Sequence, residues 1–163
     1  MQIKNISLKN FRNHSYRNFD FSNNLNVITG ENAVGKTNIV EAIYYLSLGR
    51  SFRANDDSEL IKRNHERAEI NATILEGELT RKIKVNITKN GRAILINGKN
   101  ISKLSELSKC VNVILFQPKD VMLFSGPPRD RRNFLDISIS KKSAMYLDYI
   151  SRYDKVLKER NDL

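Results

Sequence analysis

The stretch GENAVGKTN, Gly30 to Asn38, constrains this chain more than any other. Gly30, Gly35, Lys36 and Thr37 fit the pattern G-x-x-x-x-G-K-[ST] in full, and such a loop has to follow a strand and open a helix. LNVIT before it reads as a short buried strand. After it, Ile39, Val40, Ala42, Ile43, Tyr44, Leu46 and Leu48 predict a helix from Lys36 to Leu48, ended by Gly49 as a C-terminal cap. A helix apolar on most sides is covered by other elements. The glycines let successive backbone N–H groups point into one concavity, and the helix N-terminus adds its partial positive charge, which together suit a phosphate. On this reading Gly30, Glu31, Asn32, Ala33, Val34, Gly35, Lys36, Thr37 and Asn38 cradle ATP. Lys36 reaches the β- and γ-phosphates and the Thr37 hydroxyl ligates Mg²⁺. The competing reading is a glycine turn before a helix, with a solvated lysine.

Hydrolysis needs more than binding: an apolar strand ending in Asp to hold Mg²⁺, and a carboxylate or Gln to orient water. Neither candidate in this sequence qualifies, because VILF runs into Gln117, and Phe134–Asp136 is too short and follows Arg131 and Arg132. Little or no ATPase activity is therefore expected of this chain alone.

The opening QIKNISLKNF alternates in part, and Tyr16, Phe19 and Phe21 follow FRNHS, so two antiparallel strands are predicted. Beyond Asn64, AEINATILEG, LTRKIKVNIT and RAILING carry strand spacing broken at Gly77, Gly91 and Gly98, which predicts a meander of antiparallel hairpins. Ser102 to Ser108 suits a short helix, and VNVILF a buried strand stopped by Gln117 and Pro118. A further helix starts near Pro128. From Lys141 on, Tyr146, Ile150, Tyr153 and Leu157 form a narrow apolar seam, which fits either the start of a coiled-coil arm or a surface helix. The chain stops at NDL without a capping or breaking residue, as a boundary inside a longer protein would.

Twenty-eight Lys and Arg against 18 Asp and Glu give a formal charge of +10, which favours an anionic partner and nucleic acid over a membrane surface. Arg81, Lys82, Lys84, Lys89, Arg92 and Lys99 fall in a stretch nearly free of acids and are candidate DNA-binding residues; a solvated strand face accounts for them equally well. No run is long and apolar enough for a membrane span, and the charged N-terminus is unlike a signal peptide, so a cytoplasmic location is expected. The single Cys110 excludes an internal disulfide and reads as a small hydrophobe rather than a reactive thiol. His14 and His65 show no metal spacing.

SLKNFRNH at the start, GENAVGKTN with Asn32, and the pairing of LGRSFR (Leu48–Arg53) with FQPKDVMLFSGPPRDRRNFLD (Phe116–Asp136) together resemble the RecF family of bacterial DNA repair ATPases. That family belongs to the ABC-type ATPases, alongside SMC heads. The resemblance covers nearly the whole chain and implies only the N-terminal part of a RecF, without the signature motif, Walker B and D-loop. It implies a mixed α/β fold, the N-terminal lobe of an ABC-type P-loop head, with residues 1–125 in that lobe and 126–163 starting a helical arm. It further implies that Gln117 is a Q-loop glutamine approaching Mg²⁺ and the attacking water, and that Arg12 and Asn13 touch nucleotide phosphates. A polar turn between two strands is the plainer account of Arg12 and Asn13. Arg50 and Arg53 are left between nucleotide, DNA and simple surface charge. For the whole protein the resemblance implies an ATP-dependent homodimer on gapped duplex DNA, acting with RecR and RecO to load RecA. The rivals are an SMC-like tethering head, a P-loop kinase and a transporter ATPase. Against the kinase stands the meander after the loop helix, where parallel βαβ units would be expected.

Overall fold

A computed structural model describes residues 1–122 and 126–162. Residues 123–125 of the family-like motif, and with them the expected division after residue 125, lie outside the described residues. The strands are β1 (Gln2–Phe11), β2 (His14–Asp20), β3 (Arg67–Glu76), β4 (Leu79–Thr88), β5 (Gly91–Ile96) and β6 (Lys99–Asn100). The helices are α1 (Lys36–Leu48), α2 (Leu104–Cys110), α3 (Pro128–Lys142) and α4 (Ala144–Asn161).

The strands form one antiparallel sheet in the order β2-β1-β3-β4-β5-β6. Because side chains alternate along a strand, register decides which residues share a face. Leu8 lies opposite Ile70, Ile70 opposite Val85, and Val85 opposite Ile94, so one buried row crosses four strands. One residue along, Ser7, Asn71 and Lys84 make a polar row on the other face. The apolar face packs on Ala42, Tyr45 and Leu46 of α1 and on Leu107 and Cys110 of α2. Cys110 is thus a core residue, as its neighbours in the sequence suggested.

Two expected buried strands are absent. Residues 25–29 and 111–116 carry no ladder partners, and Leu25, Val27, Ile114 and Phe116 are 79%, 74%, 89% and 77% exposed, while Val111 is buried and Val113 and Leu115 pack on the core. A strand needs a neighbour for its backbone groups, and no described strand lies beside either segment. After Phe21 donates its N–H to the Lys4 carbonyl, residues 22–26 instead curl into a turn. There Ser22 N–H donates to Asn26 Oδ1 at 2.8 Å, and its hydroxyl to the Leu25 carbonyl at 2.9 Å.

The α3–α4 pair docks on the other side of α1, where Leu147 meets Tyr44 and Leu48 in a small second cluster. The Lys141 ammonium donates to the Val113 carbonyl and sits 5.3 Å from the centre of the Tyr44 ring. The predicted seam is kept in part: Tyr146, Ile150 and Leu157 are half-buried and Ile150 packs beside the buried Leu147, whereas Tyr153 stands 60% exposed. Leu147 is turned inward because α4 packs on α2 and α3, which sequence spacing could not locate. Among the described residues no helix is long and apolar enough to cross a membrane.

Candidate functional site

Gly35 is the position where the loop can accept only glycine. Its φ is +102°, and a Cβ there would stand 2.5 Å from Asn13 Oδ1 and 2.6 Å from His14 Nε2. The turn between β1 and β2 therefore presses directly against the loop. Asn13 donates its amide to the Ala33 carbonyl at 3.0 Å, and the His14 ring nitrogen lies 3.3 Å from the Gly35 carbonyl. His14, given no chemistry from its spacing, is a buried buttress of the loop. α1 then begins at Lys36 with no side-chain cap and no acid in its first turn. Lys36 Nζ donates to the carbonyls of Gly30 at 2.7 Å and Glu31 at 2.6 Å, and Thr37 is exposed. An ammonium held only by neutral carbonyls, at the mouth of a loop that ends in an uncapped helix N-terminus, fits a phosphate chain.

Beside the loop, Arg12, Asn13, Asn38, Arg53, Lys62 and Arg63 are among the residues lining an open cleft of about 640 Å³. Beneath it lies a residue that the sequence reading passed over. Glu41, on α1, is fully buried. Its carboxylate accepts from Arg12 Nε at 2.9 Å and Nη2 at 2.7 Å, from Ser51 Oγ at 2.6 Å and from Arg53 Nη2 at 2.6 Å. Burial raises its pKa, but the hydrogen bonds from Arg12, Arg53 and Ser51 outweigh that and hold it at about 2. The one hint in the sequence was an acid between Val40 and Ala42 in a helix otherwise apolar on most sides.

Arg12 itself sits at φ +53°, in the left-handed region. Its three guanidinium nitrogens all engage protein oxygens, with Nη1 on the Glu59 carbonyl at 2.9 Å. Asn38 bridges the two sides of the cleft: its amide donates to Asn13 Oδ1 at 2.7 Å and its oxygen accepts from Arg53 Nη2. The structure thus joins Arg12, Asn13, Asn38 and Arg53 to the loop in one network.

Gln117 is not joined to that network among the described residues. It follows the 111–116 segment, and its backbone N–H donates to Asp120 Oδ2 at 2.8 Å. Nor do the basic candidates of the meander form one patch. Arg92 is on the α1 side, 2.5 Å from Asp57 Oδ2, which also accepts from the Tyr45 hydroxyl at 2.8 Å. Burial, then the nearby Asp57 carboxylate, push the Tyr45 phenol up, against the pull of Arg92. Arg81 pairs with Glu76 at 3.0 Å. Lys82 and Lys84 project from the polar face of the sheet, where Lys84 lies 3.5 Å from Glu69. Lys89 adjoins the β4–β5 turn and Lys99 opens β6. Arg50 keeps one buried guanidinium nitrogen without a partner.

The sequence matches the AAA domain family over residues 5–159. It is 43% identical to the DNA replication and repair protein RecF of Clostridium tetani and 43% identical to that of Clostridium acetobutylicum. These matches span 100% and 99% of this chain, and in both cases 45% of the relative, so the chain spans about half the length of the curated relatives it matches. A solved structure of the recombination mediator protein RecF-ATPrS in the RecFOR pathway superposes with a TM-score of 0.89 at 34% identity, covering 99% of this chain and 44% of that one. The SMC head domain of Thermotoga maritima shares the fold more loosely, with a TM-score of 0.54 at 21% identity over 66% of this chain and 41% of that one. The mixed α/β architecture is that of the N-terminal lobe of these heads, and the chain belongs to the AAA domain family, matching the N-terminal portion of RecF proteins along its whole length.

Proposed function

We propose that this chain is the ATP-binding part of a RecF-type DNA repair and replication protein, holding half of an ATPase centre. The observation that carries the reading is the convergence of Lys36 and the uncapped start of α1 at one loop. Lys36 would leave its two carbonyls and bridge the β- and γ-phosphates, while the first amides of α1 and the loop residues Gly30 to Asn38 donate to the phosphate chain. Arg12 and Asn13 border it. Thr37 would hold Mg²⁺ through its hydroxyl. By the RecF likeness Gln117 would approach the same Mg²⁺, with water and phosphate oxygens in its shell. In the whole protein, ATP binding would drive dimerisation on DNA and slow hydrolysis would release the DNA.

In the same reading residues 1–125 belong to the ATPase lobe and 126–163 begin a helical arm. DNA phosphates, presented near single-strand junctions of gapped duplex, meet Lys82, Lys84, Lys89 and Lys99 most directly, with Arg81 and Arg92 shared with acids. RecR, RecO and RecA are the partners that the RecF likeness supplies. The test is titration of ATP into wild-type and Lys36→Ala protein. The lysine variant is expected to bind at least about tenfold more weakly, the loss of a charge-assisted contact. Equal affinity would overturn the nucleotide reading. DNA affinity that does not fall with rising salt would overturn the DNA reading.

A further inference from the structure

Arg12 and Arg53 reach the cleft from different parts of the chain, the β1–β2 turn and the loop after α1, and meet on one buried carboxylate. Two guanidinium groups around a single Glu41 leave one positive charge without a counterion in the cluster. The two arginines are not equivalent. Arg12 engages all three of its nitrogens, whereas Arg53 is held by Nη2 alone, which leaves Nε and Nη1 without partners among the described residues. Ser51 tightens the arrangement, because its hydroxyl donates to Glu41 while accepting the N–H groups of Arg53 at 3.0 Å and Ala54 at 2.9 Å. From Arg53 the hydrogen bonds continue through Asn38 and Asn13 to the Ala33 carbonyl in the phosphate loop.

We propose that Glu41 is a positioning residue for nucleotide binding: it aims the free fork of Arg53 at the phosphate chain of ATP held in the neighbouring loop. This rests on the ATP reading above. Arg12 serves as the fixed second arm of the clamp, and Asn38 transmits the position of Arg53 to the loop. A carboxylate under two guanidinium groups does this better than a neutral side chain, because it grips several N–H donors at once with charge-assisted bonds. The two guanidinium groups outweigh its single negative charge, so the cluster as a whole stays positive towards phosphates.

The test is a double-mutant cycle on the intact protein, with ATP affinity read by calorimetry and folding checked by thermal melting. Glu41→Gln is expected to weaken ATP binding about tenfold, Arg53→Ala by a similar factor, and the double variant no more than Arg53→Ala alone. Glu41→Asp, which keeps the charge, recovers part of the loss. A folded Glu41→Gln with wild-type affinity, or losses that multiply in the double variant, would overturn the proposal. If Glu41→Gln does not fold, Ser51→Ala loosens the same carboxylate and is expected to weaken ATP binding several-fold; unchanged affinity there also overturns it. Loss in Lys36→Ala without loss in Glu41→Gln would sink this proposal and keep the ATP reading. Equal affinity in wild type and Lys36→Ala would sink that reading, and this proposal with it.

Discussion

The cleft and the basic meander both carry dense positive charge, yet the molecule treats them in opposite ways. In the cleft, Arg12 and Arg53 share a fully buried acid and are fixed by hydrogen bonds to α1 and to the Glu59 carbonyl. In the meander, Lys82, Lys89 and Lys99 have no ion-pair partner among the described residues, and the Lys84 ammonium is 3.5 Å from Glu69 with both side chains in contact with water. Charge counted along a sequence does not separate these cases. What separates them is whether the counterion is removed from water: a buried acid confines its partners to one geometry, and a solvated one does not.

The contrast breaks most readily at Glu41. Glu41→Ala would leave two guanidinium groups over an uncompensated, partly buried space, and a loss of about 3–5 kcal/mol of stability is expected. Lys84→Ala should leave the melting midpoint nearly unchanged. Chemical denaturation of both variants checks the pair; equal midpoints would remove the distinction.

Acid offers a second, mutation-free handle on the same carboxylate. Glu41 ionises at about 2 in the fold against its ordinary 4.5, so its contribution is complete above pH 4.5 and is lost as the pH falls towards 2. The loss is a few kcal/mol, on the order of the shift converted at 1.4 kcal/mol per pH unit. Denaturant melts taken from pH 6 down to pH 2 should show it in wild type, and a smaller drop in Glu41→Gln.

Arg92 sharpens the comparison, because it belongs to the meander by sequence and to the core by contact. Asp57→Asn is expected to cost about 1–2 kcal/mol by weakening the bonds from Tyr45 and Arg92. The smallest effect concerns binding alone. Lys82→Ala with Lys84→Ala should lower the slope of log affinity for DNA against log salt by about two, with no change in stability. Arg92→Ala, by contrast, should destabilise the fold and change that slope less.

The sequence made the local elements legible for local reasons. Period-two alternation marks β3 and β4, glycine turns separate the hairpins, and Gly49 at φ +65° closes α1 with its N–H on the Tyr45 carbonyl at 2.8 Å. The same local rules misread residues 25–29 and 111–116. An apolar run states a preference for burial, but a strand also needs a neighbour, and that is a property of the rest of the molecule.

The shape of the glycine loop was determined by the sequence alone, because the conformational needs of consecutive residues are their own: Gly35 at positive φ, then Lys36 and Thr37 opening a helix. The Arg12–Glu41–Arg53 cluster beside it was decided only by tertiary structure. Arg12 is 29 residues from Glu41 and Arg53 is 12 residues away, and no periodicity links them. They meet because the β1–β2 turn packs against Gly35 and because burial leaves the Glu41 carboxylate no water, so its hydrogen bonds must come from protein donors.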